Sequence, residues 1–377
     1  IMAFTQYTNL DFEQIKASLR EYLRSNSNFT DFDFEGSNLS ILIDTLAYNS
    51  YITNYNANMV ANEAFIDSAT LRENVVALAR NIGYVPSSRR SSTANITFSV
   101  DLGAGATKST VTLKAGLVAL GNFANTNYTF AIPEDVTSPV VDGIAFFTID
   151  IKQGPYLTKE FIVDGSQTNQ RFILPNPYVD TSTIRVRVKD TSSSSTQKVY
   201  NKVDNIVGIT TTSEIYLLQE VQDEKYEILF GDGVIGKKLS SRNVVNVTYV
   251  VCDGVNGNGV SNFAFSGKLV DNDGGLITTG ISDIITNQAS RNGSEIENIS
   301  TIKNLAPRVY ASQYRAVTAN DYEAIIPTIY SNADSVTAYG GEDATPPQFG
   351  KVFISIKPKN GQFISDFDKR QLLEKLK

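Results

Sequence analysis

The stretch Tyr226-Glu227-Ile228-Leu229-Phe230-Gly231-Asp232-Gly233-Val234-Ile235-Gly236 places a strand-like run directly before a turn that is rich in glycine. Glycine permits positive φ, and aspartate tolerates tight turns while it bonds its own backbone. We therefore interpret the corner from Phe230 to Gly236 as a hairpin turn that defines the fold. A loop that binds an anion or a cation is the alternative interpretation.

Two further motifs follow this corner along the chain. Asp253-Gly254-Val255-Asn256-Gly257-Asn258-Gly259 is a second glycine-rich corner, and Tyr314 to Glu323 is typical of the start of a helix. There Thr318 can act as the N-cap while Asp321, at the third helical position, satisfies a free amide. The residues that we assign to this structural motif are Phe230, Gly231, Asp232, Gly233, Gly236, Gly254, Gly257, Asn258, Arg315, Thr318, Asp321 and Tyr322.

The composition excludes several classes of enzyme. The 377 residues contain no histidine, so a Ser-His-Asp triad, a histidine-bearing metalloprotease site and histidine general-base catalysis cannot form within this chain. Tryptophan is also absent, which disfavours a sugar-stacking cleft. The single cysteine, Cys252, excludes an intramolecular disulfide and a cysteine-rich zinc site, and we expect it to be a small buried residue.

The charge distribution disfavours nucleic acid as a partner. The net charge is −7 and the sequence pI is about 4.9, so a broad acidic surface would repel phosphates. The clearest basic cluster, Arg80 with Arg89 and Arg90, follows a predicted helix and is expected to be structural. No apolar run approaches the length of a membrane span, and we expect no membrane partner.

The periodicity predicts an α+β protein. We expect a helical partner-binding region at residues 1–90, a central antiparallel β-rich domain with glycine-rich corners at 91–299, and the start of a mixed α/β domain at 300–377. The last segment ends at Lys377 without helix-ending residues, which predicts that the natural protein continues.

Three helices are predicted in the first region. Asn9 is the expected cap of the first, Ser68 is the expected cap of the third, and Gly83 is expected to end the third in a left-handed conformation before Pro86. The long middle helix carries apolar positions from Leu39 to Val60. Between them lies a set of uncharged polar residues that forms either a solvent face or a protein contact surface: Asn49, Tyr51, Asn54, Asn56, Asn58 and Asn62.

Alternation with period two predicts strands within residues 95–100, 145–151, 183–188 and 244–249, with a hairpin tip at Thr191 to Thr196. After residue 300, a helix from Ala319 to Tyr330, two strands and a last helix from Asp366 are expected, with Pro327 kinking or ending the first of these helices.

Ligand-binding motifs are few. Asp271-Asn272-Asp273-Gly274 begins like a calcium loop, but Ser282 occupies the place where an EF-hand needs glutamate. Phosphate-binding glycine loops are absent from the sequence. We predict no metal and no cofactor.

The motifs, taken in order, resemble those of a known family. The corner Phe230 to Gly236, the strand at Tyr249 that leads to Gly254-Val255-Asn256-Gly257-Asn258, the run Ala306-Pro307-Arg308 and the segment Arg315 to Tyr322 are similar to the baseplate J-like proteins of contractile phage tails. The N-terminal helices and three further runs resemble the baseplate wedge subunits of T-even-type phages: Asp31 to Ser37, Asn81 to Pro86 and Tyr339 to Ala344.

The resemblance implies a structural subunit of the baseplate wedge that is not an enzyme. Members of this family form dimers, pack helices against other wedge subunits, and build the ring around the tail tube that couples host attachment to sheath contraction. The implied partners are a second copy, other wedge proteins, and sheath-proximal or hub proteins. The implied location is the virion tail baseplate, after assembly in the host cytoplasm.

Two other classes of function remain open. A carbohydrate-binding or adhesin module suits the β content and the 18 tyrosines, although tryptophan is absent. A glycosidase would need two carboxyl groups roughly 5 to 10 Å apart, and no motif marks such a pair.

Overall fold

The computed structural model describes residues 6–25, 38–103, 105, 107–167, 170–203, 208–313, 315–330, 333–358, 364 and 366–376. These residues confirm the α+β class. The chain divides into two compact units, one of Ile1–Val85 with Asn298–Ala311 and one of Pro86–Glu297 with Ser312–Lys377. The predicted run Asp31 to Ser37 lies outside the described residues.

The first unit is helical, with α1 (Phe12–Arg24), α2 (Asn38–Glu63), α3 (Arg72–Asn81) and α4 (Ile299–Ser312). Buried side chains of α2, α3 and α4 form its core: Ile43, Ala47, Val75, Val76, Ala79, Ile302, Ala306 and Val309. The helix α4 thus belongs to the same unit as the N-terminal helices, although the whole β-rich region separates them in sequence. The domain boundaries at residues 90 and 299 remain a prediction.

Two helix starts differ from the sequence prediction. Asp11, and not Asn9, caps α1 by accepting a hydrogen bond from the Gln14 amide, while Asn9 accepts one from the Asp11 amide. Likewise Ser68 does not cap α3, because its hydroxyl donates to the Asn62 carbonyl at the end of α2. In both cases a polar side chain that could cap a helix instead bonds a nearby backbone group outside that helix.

The end of α3 follows the prediction. Gly83 has a φ of +84° and donates its amide to the Arg80 carbonyl, while Tyr84 donates to Ala79. This pattern closes a helix through a left-handed residue.

The second unit contains the strands. In chain order they are β1 (Thr93–Asp101), β2 (Thr110–Leu113), β3 (Gly116–Phe123), β4 (Thr126–Ile132), β5 (Val136–Val141), β6 (Ile144–Gln153), β7 (Tyr156–Ile162), β8 (Phe172–Ile173), β9 (Val179–Lys189), β10 (Lys198–Lys202), β11 (Ile215–Glu220), β12 (Tyr226–Phe230), β13 (Val244–Val251), β14 (Phe263–Phe265), β15 (Leu269–Asp271), β16 (Leu276–Ile277), β17 (Ile285–Arg291), β18 (Ala333–Gly340) and β19 (Val352–Pro358).

The β-rich region forms two modules, one inserted into the other. Within the described residues, β1–β6 and β14–β17 form one sheet, which we call the host module, and β7–β13 form a second sheet, the inserted module. Each sheet has its own apolar core: Phe98, Phe130 and Phe147 are fully buried in the host module, and Tyr249 and Ile228 in the inserted module. The chain therefore leaves the host sheet after β6 and returns to it after β13.

The four strands predicted by alternation are confirmed within β1, β6, β9 and β13. Segment 191–196 lies at the tip of the antiparallel β9–β10 hairpin, as predicted. The pairs are antiparallel with one exception among the described strands, since β10 and β11 run parallel.

The C-terminal part of the second unit is mixed, as predicted. It contains α5 (Ala319–Ile329), the antiparallel pair β18–β19, and α6 (Asp366–Lys375). Pro327 lies inside the last turn of α5, which ends after Ile329 and so matches the predicted effect of proline.

Candidate functional site

The first glycine corner is a rigid loop. One carboxylate oxygen of Asp232 accepts hydrogen bonds from the amides of Val234 at 2.8 Å and Ile235 at 2.9 Å. These amide donors, Ile235 first and Val234 next, lower the pKa of the exposed Asp232 carboxyl below its usual value. The side chain on which a binding loop would depend is therefore already satisfied by its own backbone.

Glycine is required in this loop by a close backbone approach. A Cβ on Gly231 would lie 2.3 Å from the carbonyl carbon of Gly236, and Gly236 itself has a φ of +80°. The Gly236 amide donates to the Thr210 carbonyl at 3.1 Å, which fastens the loop to a neighbouring segment. Phe230, the last residue of β12, packs edge-on against Phe172 in the core of the inserted module.

The hairpin interpretation of this corner is wrong in one respect. The corner joins β12 to β13, and these strands are not neighbours in the sheet, whose order is β7-β13-β9-β10-β11-β12-β8. The loop folds back on itself, with the Gly233 amide donating to the Gly236 carbonyl at 3.1 Å. It is therefore a crossover corner between non-adjacent strands.

The sequence that begins like a calcium loop is a hairpin turn. The Lys108 ammonium contacts the carboxylates of both Asp271, at 2.9 Å, and Asp273. Asp271 also accepts the amides of Asp273 and Gly275. No cluster of three or more potential metal ligands occurs among the described residues.

The second corner lies where the host and inserted modules meet. The Gly257 carbonyl accepts hydrogen bonds from the hydroxyls of Ser92 at 2.6 Å and Ser290 at 2.7 Å. Asn258 bonds the backbone of Gly293 in both directions, at 2.9 and 3.2 Å. Gly254 has a φ of +60°, which favours glycine, and a Cβ there would also displace the Glu295 carboxylate, which would lie 2.5 Å away.

The two chain crossings between the modules are adjacent. Gln153, at the end of β6, exchanges two hydrogen bonds with Asp253, at 2.7 and 2.9 Å. At Gly154, where φ is +126°, a Cβ would lie 2.0 Å from the Val251 carbonyl oxygen. The segment that leaves the host module, at Gly154, therefore contacts the backbone of the segment that returns to it, at Val251.

The buried carboxylate of Asp180 completes the junction between the two modules. We call this junction the seam, and its residues are Ser91, Ser92, Gln153, Asp180, Asp253 and Gly257. Asp180 of β9 is 1% exposed and accepts the Ser91 amide at 2.9 Å and the Ser182 amide at 3.0 Å, while the Lys152 ammonium lies 3.6 Å away. Burial alone raises the pKa of Asp180, but Lys152 and the hydrogen bonds from Ser182 and Ser91 outweigh it. The net result is a carboxyl whose pKa lies below its usual value.

Two residues that the sequence singled out lie beside the seam. Cys252 is buried, as expected, and desolvation raises the pKa of its thiol to about 11. Arg89 forms an ion pair with Glu295 at 2.7 Å and lies over the Tyr178 ring, 4.3 Å from its centroid. Arg89 thus has the structural role that was predicted for it.

The third motif holds the start of α5. The Thr318 hydroxyl accepts the Asp321 amide at 3.3 Å, and the Asp321 carboxylate accepts the Thr318 amide at 2.7 Å, which is the predicted capping box. The amides and hydroxyl of this box hold the pKa of Asp321 below its usual value. Arg315 is exposed and Tyr322 is half-buried. The three motifs therefore hold three separate parts of the fold.

The long helix α2 contains a feature that the sequence did not reveal. Apolar and aromatic side chains lie exposed along one broad face of it: Ile41 57%, Leu42 58%, Leu46 55%, Tyr48 60%, Ile52 37%, Tyr55 44% and Val60 72%. We call these residues the α2 face. Among residues 6–25, 38–85 and 298–311, which are the described part of the first unit, no helix covers them.

The opposite side of α2 buries asparagine. Asn58 is fully buried, and its side-chain oxygen accepts the amides of Tyr7 at 2.7 Å and Thr8 at 3.1 Å. Asn62, 1% exposed, donates to the Asn58 carbonyl, and Asn54 donates to the Asn9 carbonyl. Asn58 and Asn54 therefore fix the N-terminal segment, while Asn62 bonds within α2. The prediction of a solvent or contact face is wrong for Asn58 and Asn62, which are buried, whereas Asn49 and Asn56 are exposed.

No helix in the described residues is long and apolar enough to span a membrane.

Comparisons with known proteins give matches at both ends of the chain. Residues 11–84 match the family described as "Baseplate wedge protein gp6-like, helical domain", and residues 318–377 match "Baseplate structural protein gp6, C-terminal domain I". The chain is 26% identical over 385 residues to the baseplate wedge protein gp6 of Enterobacteria phage T4, an alignment that covers 97% of this chain and 56% of that protein. The chain thus spans about half the length of this curated relative.

A solved structure, the six-fold symmetrised cryo-EM structure of the anti-feeding prophage baseplate, aligns at 13% identity with a TM-score of 0.33. That alignment covers 99% of this chain and 77% of the other. At both ends of its sequence the chain is similar to gp6-like baseplate wedge proteins, and these sequence matches support a structural role in a baseplate.

Proposed function

We propose that this chain is a structural subunit of the baseplate wedge in a contractile phage tail. It packs through its helical unit with other wedge subunits, self-associates, and contributes to the ring around the tail tube that couples host attachment to sheath contraction. Its place is the virion tail baseplate, after assembly in the host cytoplasm, and the narrower assignment to the baseplate J-like family is part of this proposal. The observation that carries it is the match of residues 11–84 to a gp6-like helical domain, because the same residues include the α2 face.

The physical case rests on the exposed area of α2. Monomeric proteins seldom expose contiguous apolar patches larger than a few hundred Å², and larger ones mark interaction sites. Burying one leucine, isoleucine or similar side chain contributes about 1.5–3 kcal/mol. The leucine and isoleucine side chains of the α2 face are already about half buried, so burying the rest of three of them would contribute roughly 2–5 kcal/mol before the cost of association is subtracted. A helix from another subunit, laid along α2, would supply the complementary apolar stripe.

A structural role also suits the chemistry of the rest of the chain. With no histidine in the sequence, and no cluster of potential metal ligands among the described residues, the usual catalytic groups are few. Asp232 of the first glycine corner and Asp180 of the seam use their carboxylates to bond backbone amides. We therefore propose that the chain is not an enzyme.

The test is a charge placed on the α2 face. Ile52→Asp should weaken co-sedimentation with the other wedge subunits by at least tenfold, because an aspartate in an apolar helix contact would be buried without a partner. Ala17→Asp is the matched control, since Ala17 is an exposed residue on α1 and gains the same charge. Circular dichroism of both variants reports whether the helices remain folded.

The proposal fails if Leu46→Asp combined with Ile52→Asp leaves the sedimentation of the mixture unchanged. It also fails if the Ala17 variant weakens the complex as strongly as the Ile52 variant, since the loss would then follow from charge alone.

A further inference from the structure

Three backbone amides of β19 point away from β18 and have no acceptor among the described residues. In the register of this antiparallel pair, Ile354 lies opposite Ala338, and the Ala338 amide donates not to β19 but to the Glu323 carboxylate of α5, at 3.0 Å. Ala338 and Ile354 are therefore a non-hydrogen-bonded pair. In an antiparallel ladder, the two residues of such a pair direct their N–H and C=O groups away from each other. The amides of Ile354 and of its neighbours two positions away, Val352 and Ile356, therefore point away from β18, and none of the described residues accepts them.

The two edges of this small sheet differ. On the β18 side, Glu323 occupies an outward amide and blocks the approach of another strand. On the β19 side, the strand runs for seven residues, and Lys357 is its only charged residue. Natural edge strands are usually protected by several charges, by proline or by a bulge. Of these features, β19 has Lys357 and Pro358, both at its C-terminal end, where the pairing with β18 is also irregular.

An apolar groove lies beside the same edge. It has a volume of about 450 Å³ and is lined by Val352, Ile354 and Ile356 of β19, by Ile326 of α5, and by Leu372 and Leu376 of α6. All three β19 residues with outward amides thus line the groove, together with Ser355, which lies between two of them. A two-stranded sheet is also marginal by itself, and a third strand would extend it.

We infer that the β19 edge is a docking site for an extended segment of another protein, with apolar side chains at alternate positions. The segment would pair its backbone with Val352, Ile354 and Ile356 and place every second side chain in the groove, which is the usual form of strand addition. A groove of this volume suits the side chains of a short peptide.

A second copy of this chain suits the site less well. Two identical antiparallel edges are related by a two-fold axis perpendicular to the sheet. In that arrangement, the side chains of the second copy's β19 face its own α6. They would therefore line their own groove and would not fill the groove of the first copy. The inference depends on the geometry of β19 and does not rest on the proposed baseplate function.

The test is residue-resolved hydrogen exchange on the full chain, with a synthetic six-residue peptide of alternating valine and threonine as the probe. At a peptide concentration of ten times its dissociation constant, the amides of Val352, Ile354 and Ile356 should exchange about tenfold more slowly. The control probe is the same peptide with N-methyl groups on its alternate amides, which removes the strand-pairing donors and keeps the side chains. It should give no protection.

Two variants sharpen the test. Ile354→Pro removes an outward donor without removing a β18–β19 hydrogen bond, and it should abolish the protection of Val352 and Ile356. Ser355→Ala is the control: Ser355 also borders the groove, but its amide is directed toward β18, so the substitution removes no outward donor and should leave that protection intact. If Ile354→Pro unfolds the sheet, the comparison of the two peptides still decides the question.

Three results would overturn the inference. The first is no protection by either peptide. The second is equal protection by both, which would mean binding to the groove without strand pairing. The third is protection of the same amides in the free chain that rises with protein concentration, which would assign the edge to a second copy.

Discussion

Replacing Asp180 by alanine tests whether the seam holds the host and inserted modules together. The carboxylate is 1% exposed and accepts the amides of Ser91 and Ser182, with Lys152 nearby. The substitution removes all of these interactions and creates no steric clash. Asp150→Ala is the matched control, because Asp150 is an exposed carboxylate on β6 that bonds only the Asn95 side chain, at 2.7 Å.

Removing the Asp180 carboxylate affects its three partners to different degrees. Ser91 is buried, so its amide would have no other acceptor, at a cost of about 1–3 kcal/mol. Ser182 is exposed and Lys152 is partly exposed, so water can replace the carboxylate at both, and their losses are smaller. We expect Asp180→Ala to lower the free energy of unfolding by about 2–4 kcal/mol. Asp150→Ala should cost about 0.5 kcal/mol or less.

Differential scanning calorimetry at neutral pH measures this difference. For a domain of this size, 1 kcal/mol shifts Tm by about 2–4 °C, so Asp180→Ala should lower the Tm of the β transition by about 4–16 °C. A shift no larger than that of Asp150→Ala would refute the reasoning, because the seam would then contribute nothing beyond an exposed carboxylate.

The pH dependence provides an independent check. The folded-state pKa of Asp180 is lowered, so the stabilisation is fully present above the unfolded-state pKa, which is about 3.9, and is lost as the pH falls through the folded-state value. The difference in Tm between the wild type and Asp180→Ala should therefore be constant between about pH 5 and pH 8 and shrink below about pH 4. A difference that persists unchanged in acid would show that the charge is not its source.

Four further predictions concern single positions. Gly231→Ala should destabilise the inserted module by at least about 2 kcal/mol in urea unfolding, because its Cβ meets the Gly236 backbone. Gly233→Ala, at a φ of +95° but with its nearest contact an ordinary one of 3.6 Å to Lys238, should cost only about 1–2 kcal/mol. Asn58→Ala leaves two backbone amides without an acceptor, and proteolysis should then release the N-terminal segment faster, in line with a cost of about 1–3 kcal/mol. Since burial raises the pKa of Cys252 from 9.0 to about 11, its alkylation at neutral pH should be at least about 100-fold slower than in the unfolded chain.

The elements that could be predicted from the sequence are those with local causes. The capping box at Thr318, the left-handed end of α3 at Gly83 and the alternating strands depend on residues within a few positions of each other, and all three are present. The errors at Asn9 and Ser68 have a local cause as well. Both side chains had a competing backbone partner within one or two turns, and the sequence did not show which partner would prevail.

The seam could not be predicted, because its contacts join residues far apart in the chain. Asp180 bonds Ser91, Gly257 bonds Ser92, and Gln153 bonds Asp253. A glycine corner signals a close backbone approach but does not say which segment approaches. The residues of the second corner were therefore found from sequence, while their role at the junction of two modules required the three-dimensional structure.

The α2 face shows why helical periodicity alone did not locate the contact surface. Periodicity reports that apolar residues share a side, and the usual inference is that this side is the core. In α2 the buried positions are instead mostly small or polar, namely Ser40, Ala47, Asn58 and Asn62 beside Ile43, and the larger apolar residues of the α2 face are exposed. Buried asparagines that bond backbone groups fix one arrangement of the unit, since each must find its own partner. In such a helix, hydrogen bonds from the buried side fix how the helix packs within its own unit. Its exposed apolar side chains remain available to a partner. A buried side held by hydrogen bonds and an exposed apolar side suit a subunit whose helices fold first and then assemble with other subunits.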